Sequence, residues 1–377
     1  MALTVVSGCV QRAPDAVVPA AAQSFSETAI SPNGGVQETR TRYPLLNLTF
    51  TWDRKVRPLL LGASPSFNAF VSIDPNTGHV LGTFPPPVLG SATVASPYGL
   101  ASFFADGKPF VLFTPQIGES ALVRLALETD RRTILRASYC RFAGQLAGGI
   151  ALDSGYYYPY YGQTEEHIVD LVGGDLFKVS ISRNNHCTTS LFFHDPLPNP
   201  RPFSIVYNEA NHNVDLGDLN GHIFEIAPNH KLIKDYVLPG AGTSSIGFPT
   251  AMIYVPALHG IAFENPYDST IGGITRSGKM IHVHVSTMGS GTTPNSMTLG
   301  SDGTIWAAGG GDSFFRITAG SSELKYGAGY RVVETTSSTA PALTGIVTIP
   351  ITPTEYKVYA TDSKNPFAFS IDFTIKH

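Results

Sequence analysis

The sequence has no apolar run near the roughly 18 to 20 residues that a membrane-crossing helix requires, so no transmembrane helix is expected. It is also poor in charge: Asp, Glu, Lys and Arg make up 14% of 377 residues, and the net charge is −4. No basic stripe is present to neutralise a phosphate backbone, which argues against nucleic acid as a partner. Cysteine is scarce, with three residues, and none stands in a Cys-x-x-Cys or Cys/His spacing suited to zinc. No Gly-rich phosphate loop leads from a strand into a helix and no Gly-x-Ser-x-Gly elbow occurs, so nucleotide binding and serine-hydrolase chemistry lack their signatures. Glycine and proline are plentiful, 37 and 28 residues, as in chains of many short strands joined by tight turns. An all-β fold with almost no helix follows.

Those strands come in a repeat. Pro294-Asn295-Ser296-Met297 places proline, a free position, a small residue and an apolar residue in order, and Pro97-Tyr98-Gly99-Leu100, Pro202-Phe203-Ser204-Ile205 and Pro249-Thr250-Ala251-Met252 follow it. Looser copies are Pro44-Leu45-Leu46-Asn47, Ala147-Gly148-Gly149-Ile150 and Pro341-Ala342-Leu343-Thr344. The starts at 44, 97, 147, 202, 249, 294 and 341 lie 53, 50, 55, 47, 45 and 47 residues apart, the period of a four-stranded propeller blade. A second signature, alternating apolar and variable residues, recurs as Phe70–Ile73, Leu122–Leu125, Leu176–Val179, Ile223–Ile226, Ile281–His284, Phe314–Ile317 and Phe367–Ser370. Asp74-Pro75-Asn76-Thr77-Gly78, Asn220-Gly221 and Asp302-Gly303 are hairpin turn signals. The expectation is one seven-bladed β-propeller of four-stranded antiparallel blades over residues 36–377. The alternating stretch 36–42 is expected to pair with Phe369–Phe373 and close the ring, leaving no open seam.

With these residues laid out, the repeats resemble the propellers of the NHL, gluconolactonase and streptogramin-lyase group. The likeness is clearest in Pro294–Leu299, Asp302-Gly303-Thr304-Ile305-Trp306 and Phe315-Arg316-Ile317. The resemblance implies architecture more than activity, because the fold hosts enzymes and binders alike. Enzymes of the group use His or Glu and Asn or Asp around a divalent ion at the channel mouth. No such set carries over residue by residue, so no cofactor is expected, with calcium or magnesium as the alternative.

A propeller exposes two loop sets on the face where its inner strands begin, the approach to each proline start and the loop between the second and third strands. That face is expected to carry Tyr98, Arg201, Thr250 and Asn295. The stretch Tyr156-Tyr157-Tyr158-Pro159-Tyr160-Tyr161 offers rigid, amphipathic area for a sugar or protein, with Tyr157, Tyr158, Tyr160 and Tyr161 as ligand-binding candidates. Packing between blades is the plain alternative. Glu165, Glu166 and His167, read as a loop, and Glu264 with Asp268 in the fifth blade's loop are candidates for a hard cation or for acid/base work, against ordinary solvated loops. His282 and His284 share one side of a strand but lack a third ligand. Asp215, Asp218 and Asn220 lack the spacing of a calcium loop and read as a hairpin. The sequon at Asn47 falls in an inner strand and is expected to be unmodified.

Residues 1–35 form an arm. Leu3-Thr4-Val5-Val6-Ser7-Gly8-Cys9 resembles the lipobox of bacterial lipoproteins, but no Lys or Arg precedes Cys9 and eight residues are too few for a signal. A truncated lipoprotein tether, a docking segment and an unstructured tail all stand as readings. Cys140 and Cys187 sit at equivalent places on neighbouring units, so a disulfide and two free thiols stand side by side. The functional expectation is a non-catalytic, extracytoplasmic recognition or assembly propeller for a protein or glycan, at the periplasm, cell surface or virion. The alternatives are a metal-dependent lactonase or lyase-type enzyme and a virion or surface-filament subunit.

Overall fold

The structure, a computed structural model, describes residues 36–375 apart from short segments, of which 153–164, 286–295, 333–340 and 242–248 are the longest. Tyr157, Tyr158, Tyr160, Tyr161, Asn295 and Cys9 lie outside the described residues.

β1 (Gln37–Arg40) precedes a sheet of β2 (Asn47–Trp52), β3 (Pro58–Ser64), β4 (Ala69–Ile73) and β5 (Val80–Phe84). A two-stranded hairpin, β6 (Val88–Leu89) and β7 (Ala92–Thr93), leads into β8 (Ala95–Ala105), β9 (Lys108–Ile117), β10 (Ala121–Leu127) and β11 (Ile134–Arg141). The third sheet holds β12 (Leu146–Leu152), β13 (Glu165–Leu171), β14 (Asp175–Ile181) and β15 (Cys187–His194). The fourth holds β16 (Pro202–Asn208), β17 (Asn213–Asp218), β18 (His222–Ile226) and β19 (Leu232–Val237). The fifth is β20 (Met252–Val255), β21 (Gly260–Asn265), β22 (Thr270–Ile274) and β23 (Met280–His284). The sixth is β24 (Ser296–Leu299), β25 (Ile305–Ala308), β26 (Ser313–Ala319) and β27 (Leu324–Arg331).

All six are antiparallel with strands in chain order, as the repeat dictates: each run is too short to bury itself and folds back on its neighbour through a turn. The last strands, β28 (Leu343–Thr352), β29 (Glu355–Asp362) and β30 (Phe367–Thr374), make a composite sheet completed at its outer edge by β1. Gln37 lies opposite Ser370, Glu38 opposite Phe369, Thr39 opposite Ala368 and Arg40 opposite Phe367. The expectation of seven repeats is thus met by six sheets of consecutive strands, and residues 343–374 supply only three strands to the composite one. Among the described residues the helical turns are two 3-10 turns, Pro65–Phe67 and Pro256–Leu258.

Packing follows strand alternation, one set of side chains toward the preceding sheet and the other toward the next. Leu59, Leu61 and Phe70 of the first sheet meet Leu100, Phe113 and Val123 of the second. Leu112 and Leu122 meet Val179 and Ile181, Leu176 and Phe193 meet Leu216 and Phe224, and Ile223 and Tyr236 meet Ile261 and Phe263. Ile253 and Ile271 meet Met297 and Phe315, Trp306 and Phe314 meet Tyr356 and Phe369, and Val347 and Tyr359 return to Leu48 and Leu60. The seams form a closed circuit of propeller type.

Hydroxyls on the innermost strands tie neighbouring sheets near the axis. Ser204 Oγ donates to the Pro249 carbonyl at 3.0 Å, Thr344 Oγ1 to the Leu46 carbonyl at 2.9 Å, and Thr348 Oγ1 to the Leu299 carbonyl. At the repeat's small third position Ser204 makes this use of its hydroxyl, and Ser296 does so toward the Ile346 carbonyl at 3.4 Å, while Thr344 and Thr348 act from later positions.

One repeat assignment is corrected. Ile281–His284 is not the third strand of its sheet but lies in the outer strand β23. The third strand is β22, whose Gly272-Gly273 breaks the apolar pattern because Phe263 lies across from Gly272. A Cβ on Gly272 would come within 2.2 Å of the Phe263 ring, so the strand accepts no side chain there.

Cys140 of β11 and Cys187 of β15 form a disulfide between the outer strands of the second and third sheets, 47 residues apart. On the chain-entropy account, closing such a loop is worth up to about 4 kcal/mol. Cys140→Ser is expected to lower the urea midpoint by a corresponding amount and to abolish the sensitivity of that midpoint to reductant; an unchanged midpoint would show that the seam alone carries the stability.

Candidate functional site

The face where the inner strands begin gathers Tyr98, Arg201, Thr250, Glu264 and Asp268, because the turns joining second to third strands approach the proline starts there. Glu165, Glu166 and His167 lie instead at the other end of the third sheet, where His167 is opposite Leu152. In the fourth sheet the Leu219 amide donates to the Arg201 carbonyl at 2.9 Å, tying turn to start. In the fifth, the Thr250 amide donates to the Glu264 carbonyl at 3.1 Å.

Arg201 is exposed, and its amide is held by Asp218. Thr250 is buried, and its hydroxyl has no hydrogen-bond partner. Tyr98 lies at a register shift in β8, between the pairs Pro97 with Pro115 and Gly99 with Thr114. Glu165, Glu166 and His167 do not form a loop: they belong to β13, opposite Ile181, Ser180 and Val179. The sequence misled there because two glutamates and a histidine suggest solvent, whereas the following Ile168-Val169 draws the stretch into the sheet. His282 and His284 are both exposed on the outer strand β23.

Glu264 does not open onto the face. It is wholly buried, neither carboxylate oxygen has a hydrogen-bond partner, and burial pushes its carboxyl well above the ordinary carboxylate range. Asp268 is exposed and accepts a hydrogen bond from Thr270 Oγ1 at 2.5 Å.

The structure also places acidic groups whose burial the sequence reading missed. Asp195, just after β15, and Asp218, at the end of β17, are both fully buried. Asp195 Oδ1 accepts the Leu197 amide at 2.9 Å, while Asp218 accepts the amides of Asn220, at 2.6 Å, and Arg201. At the opposite end of the same sheet, Asp215 is buried across from Glu225. Glu225 accepts from Asn213 Nδ2 at 2.6 Å, Asn211 Nδ2 at 2.9 Å and the Tyr236 hydroxyl at 3.0 Å. Burial first and the charge of Glu225 second push Asp215 up to about 8, against the weak opposing hydrogen bond from Asn208. Among the described residues no group of three His, Cys, Asp or Glu is arranged to hold a metal ion.

No family model and no curated protein matches the sequence. Solved structures do. A structure of streptogramin B lyase superimposes with a TM-score of 0.64 at 15% identity, covering 90% of this chain and 97% of that one. Virginiamycin B lyase from Staphylococcus aureus gives 0.64 at 13% identity, covering 90% and 99%. The β-propeller domain of Cps50 (Swd1) from Myceliophteria thermophila gives 0.61 at 11%, covering 90% and 99%. At such identities the likeness establishes the fold alone: an all-β propeller with four-stranded antiparallel blades. The extracellular domain of a putative hybrid two-component system from B. thetaiotaomicron, similar at a TM-score of 0.58 and 12% identity, shares that fold over 89% of this chain and 39% of that one.

Proposed function

We propose that the chain is an extracytoplasmic recognition or assembly module, a seven-bladed ring whose last blade is the composite sheet closed by β1, with a protein or glycan partner bound on the face where the inner strands begin. The observation that carries this is the use made of the acidic groups at that face. Glu264 and Asp195 are wholly buried and Asp218 is occupied by two backbone amides, so these side chains are turned into the fold rather than toward a substrate. Tyr98, Arg201 and Asn295 are the proposed contact surface; the tyrosine-dense stretch 156–161 falls between β12 and β13, whose facing ends lie at the other end of the sheet, and is a candidate for a separate contact. The disulfide supports an oxidising compartment. No helix among the described residues is long and apolar enough to cross a membrane.

A glycan array and a panel of lactones and streptogramins, each with added magnesium or calcium, test the reading on the full chain. The expected result is saturable binding to a defined glycan class or a purified surface protein, weakened by Arg201→Ala, with no turnover. Turnover dependent on the divalent ion and abolished by Glu264→Gln would replace this reading with the lactonase or lyase one.

A further inference from the structure

The buried pair Asp195 and Asp218 is unlike the other acidic groups because it joins two sheets through a short connecting segment. Asp195 closes the third sheet, its amide donating to the Gly174 carbonyl at 2.8 Å, and Asp218 belongs to the fourth. Between them runs Asp195-Pro196-Leu197-Pro198-Asn199-Pro200-Arg201, ending on the exposed Arg201. Asn220 Nδ2 fastens this segment from the fourth sheet by donating to the Asn199 carbonyl at 2.9 Å. On the third sheet the approach is so close that Gly174, at φ +92°, admits no side chain: a Cβ would lie 2.6 Å from Pro200 and 2.9 Å from Asp195.

Asp195 Oδ2 is buried and meets no N–H or hydroxyl donor. The Asp218 carboxyl, buried beside the same connecting segment, acts on Asp195 through its charge and as a hydrogen-bonding group, and two ionised carboxylates offer only acceptors. A single shared proton converts that contact from repulsion into a hydrogen bond, as in any close carboxyl pair excluded from water. We infer that Asp195 and Asp218 form a proton-held latch on the segment Asp195–Arg201, closed while they share a proton and released when both ionise.

The surroundings agree with release near neutral pH. Burial, opposed by the Leu197 amide, and then the charge of Asp218 push Asp195 up to about 7. The other charged groups around the latch are largely engaged elsewhere. His222 of β18 pairs with Asp235 of β19 at 2.9 Å and moderates the rise, His194 pairs with Asp175 of β14 at 2.6 Å, and the Arg201 side chain is exposed. The latch would therefore set the position of an exposed cation on the face by proton binding, whatever partner that face serves.

Hydrogen exchange of the full chain between pH 6 and 9, corrected for intrinsic base catalysis, tests this. Protection of the Leu197 and Arg201 amides is expected to fall by up to about tenfold per pH unit as pH rises to the release point and to level off above it, with the β18 amide of Phe224 as the control for global opening. Asp195→Asn supplies an N–H donor in place of the proton and is expected to hold both amides at one protection across the range. Asp218→Asn, left with one carbonyl oxygen for two backbone amides, is expected to weaken protection at every pH. Equal pH slopes for wild type and Asp195→Asn overturn the latch. Should Asp195→Asn misfold, carbon-13 NMR of Asp side chains in the Asp215→Asn background decides: an Asp carboxyl titrating between pH 6 and 8 supports the latch, and none there overturns it.

Discussion

Raising the pH from 5 to 8 is expected to destabilise this fold, the opposite of the usual course in which carboxylates paired in the native state lose their stabilising partners in acid. The cause is the set of acidic groups that the fold keeps protonated. Asp215 ionises near its ordinary 3.8 in the unfolded chain but only at about 8 in the native one. Between those values the native state binds a proton that the unfolded state does not, so stability falls as pH rises and levels off above about 8. Asp195 acts in the same direction up to about 7, and Glu264 does so as well. Asp53 runs the other way. Despite its burial, hydrogen bonds from the Arg57 and Lys55 amides and the Arg57 guanidinium hold it below 3.8, so its contribution is lost only in strong acid.

Each raised group withdraws at most about 1.4 kcal/mol per pH unit in its window, and relaxation of the interior reduces this. Urea unfolding at pH 5 and pH 8 should then differ by on the order of 2 kcal/mol or more, with the acid sample the more stable. Asp215→Asn removes one proton from the linkage, since an amide can donate to Glu225 without titrating, and should flatten the profile by about one group's share. A profile that is level or rising over this range would mean that Asp215 is ionised beside Glu225 in the native state, and the account of that seam would fail.

The strand unit was legible because it rests on local chemistry. A proline start, an alternating run and Asn-Gly or Asp-Gly turns specify hairpins without reference to distant residues; the starts at 44, 202, 249, 294 and 341 lie at or just before first strands, and those at 97 and 147 lie just inside them. The signature failed at β22, where Phe263 demands a glycine at 272 that no pattern of apolar residues could reveal. Glu165 to His167 were misplaced for a related reason, local polarity losing to sheet pairing. The acidic pairs were illegible for another: Asp195 and Asp218 stand 23 positions apart and meet only because two sheets pack. A signal was nonetheless present at Asp215. An acid between Val214 and Leu216, in a strand whose both faces are covered, must either find a partner or keep its proton. The nearness of the cysteines was readable because equivalent places on consecutive units become neighbours once the units stack side by side, while the choice between a disulfide and two thiols came from the structure.

Trp306→Ala is expected to be among the most damaging single substitutions, at about 3–5 kcal/mol, because this side chain joins the sixth sheet to the composite one. It is fully buried, packs against Phe314 and Tyr330 of its own sheet, and meets Tyr356 and Phe373 edge-on across the seam. Its Nε1 donates to the Tyr356 hydroxyl at 3.0 Å, and the Arg316 guanidinium lies 4.6 Å from the Phe373 ring centre, continuing the contact outward. Trp306→Phe keeps part of the packing and loses the donor, so a cost of about 1–3 kcal/mol is expected. A double-mutant cycle with Tyr356→Phe should return a coupling of about 1 kcal/mol. The fold has a particular reason to concentrate strength here. The composite sheet draws its outer strand from residues 37–40, remote in sequence, so the seam with the sixth sheet is what joins β28 to β30 to the strands that precede them. Urea unfolding followed by far-ultraviolet circular dichroism compares the proteins on one footing, since the Trp306 variants keep only Trp52 as a fluorescent reporter. A Trp306→Ala protein with the wild-type midpoint would show that the composite sheet is held by its contacts with β2 and β3 instead.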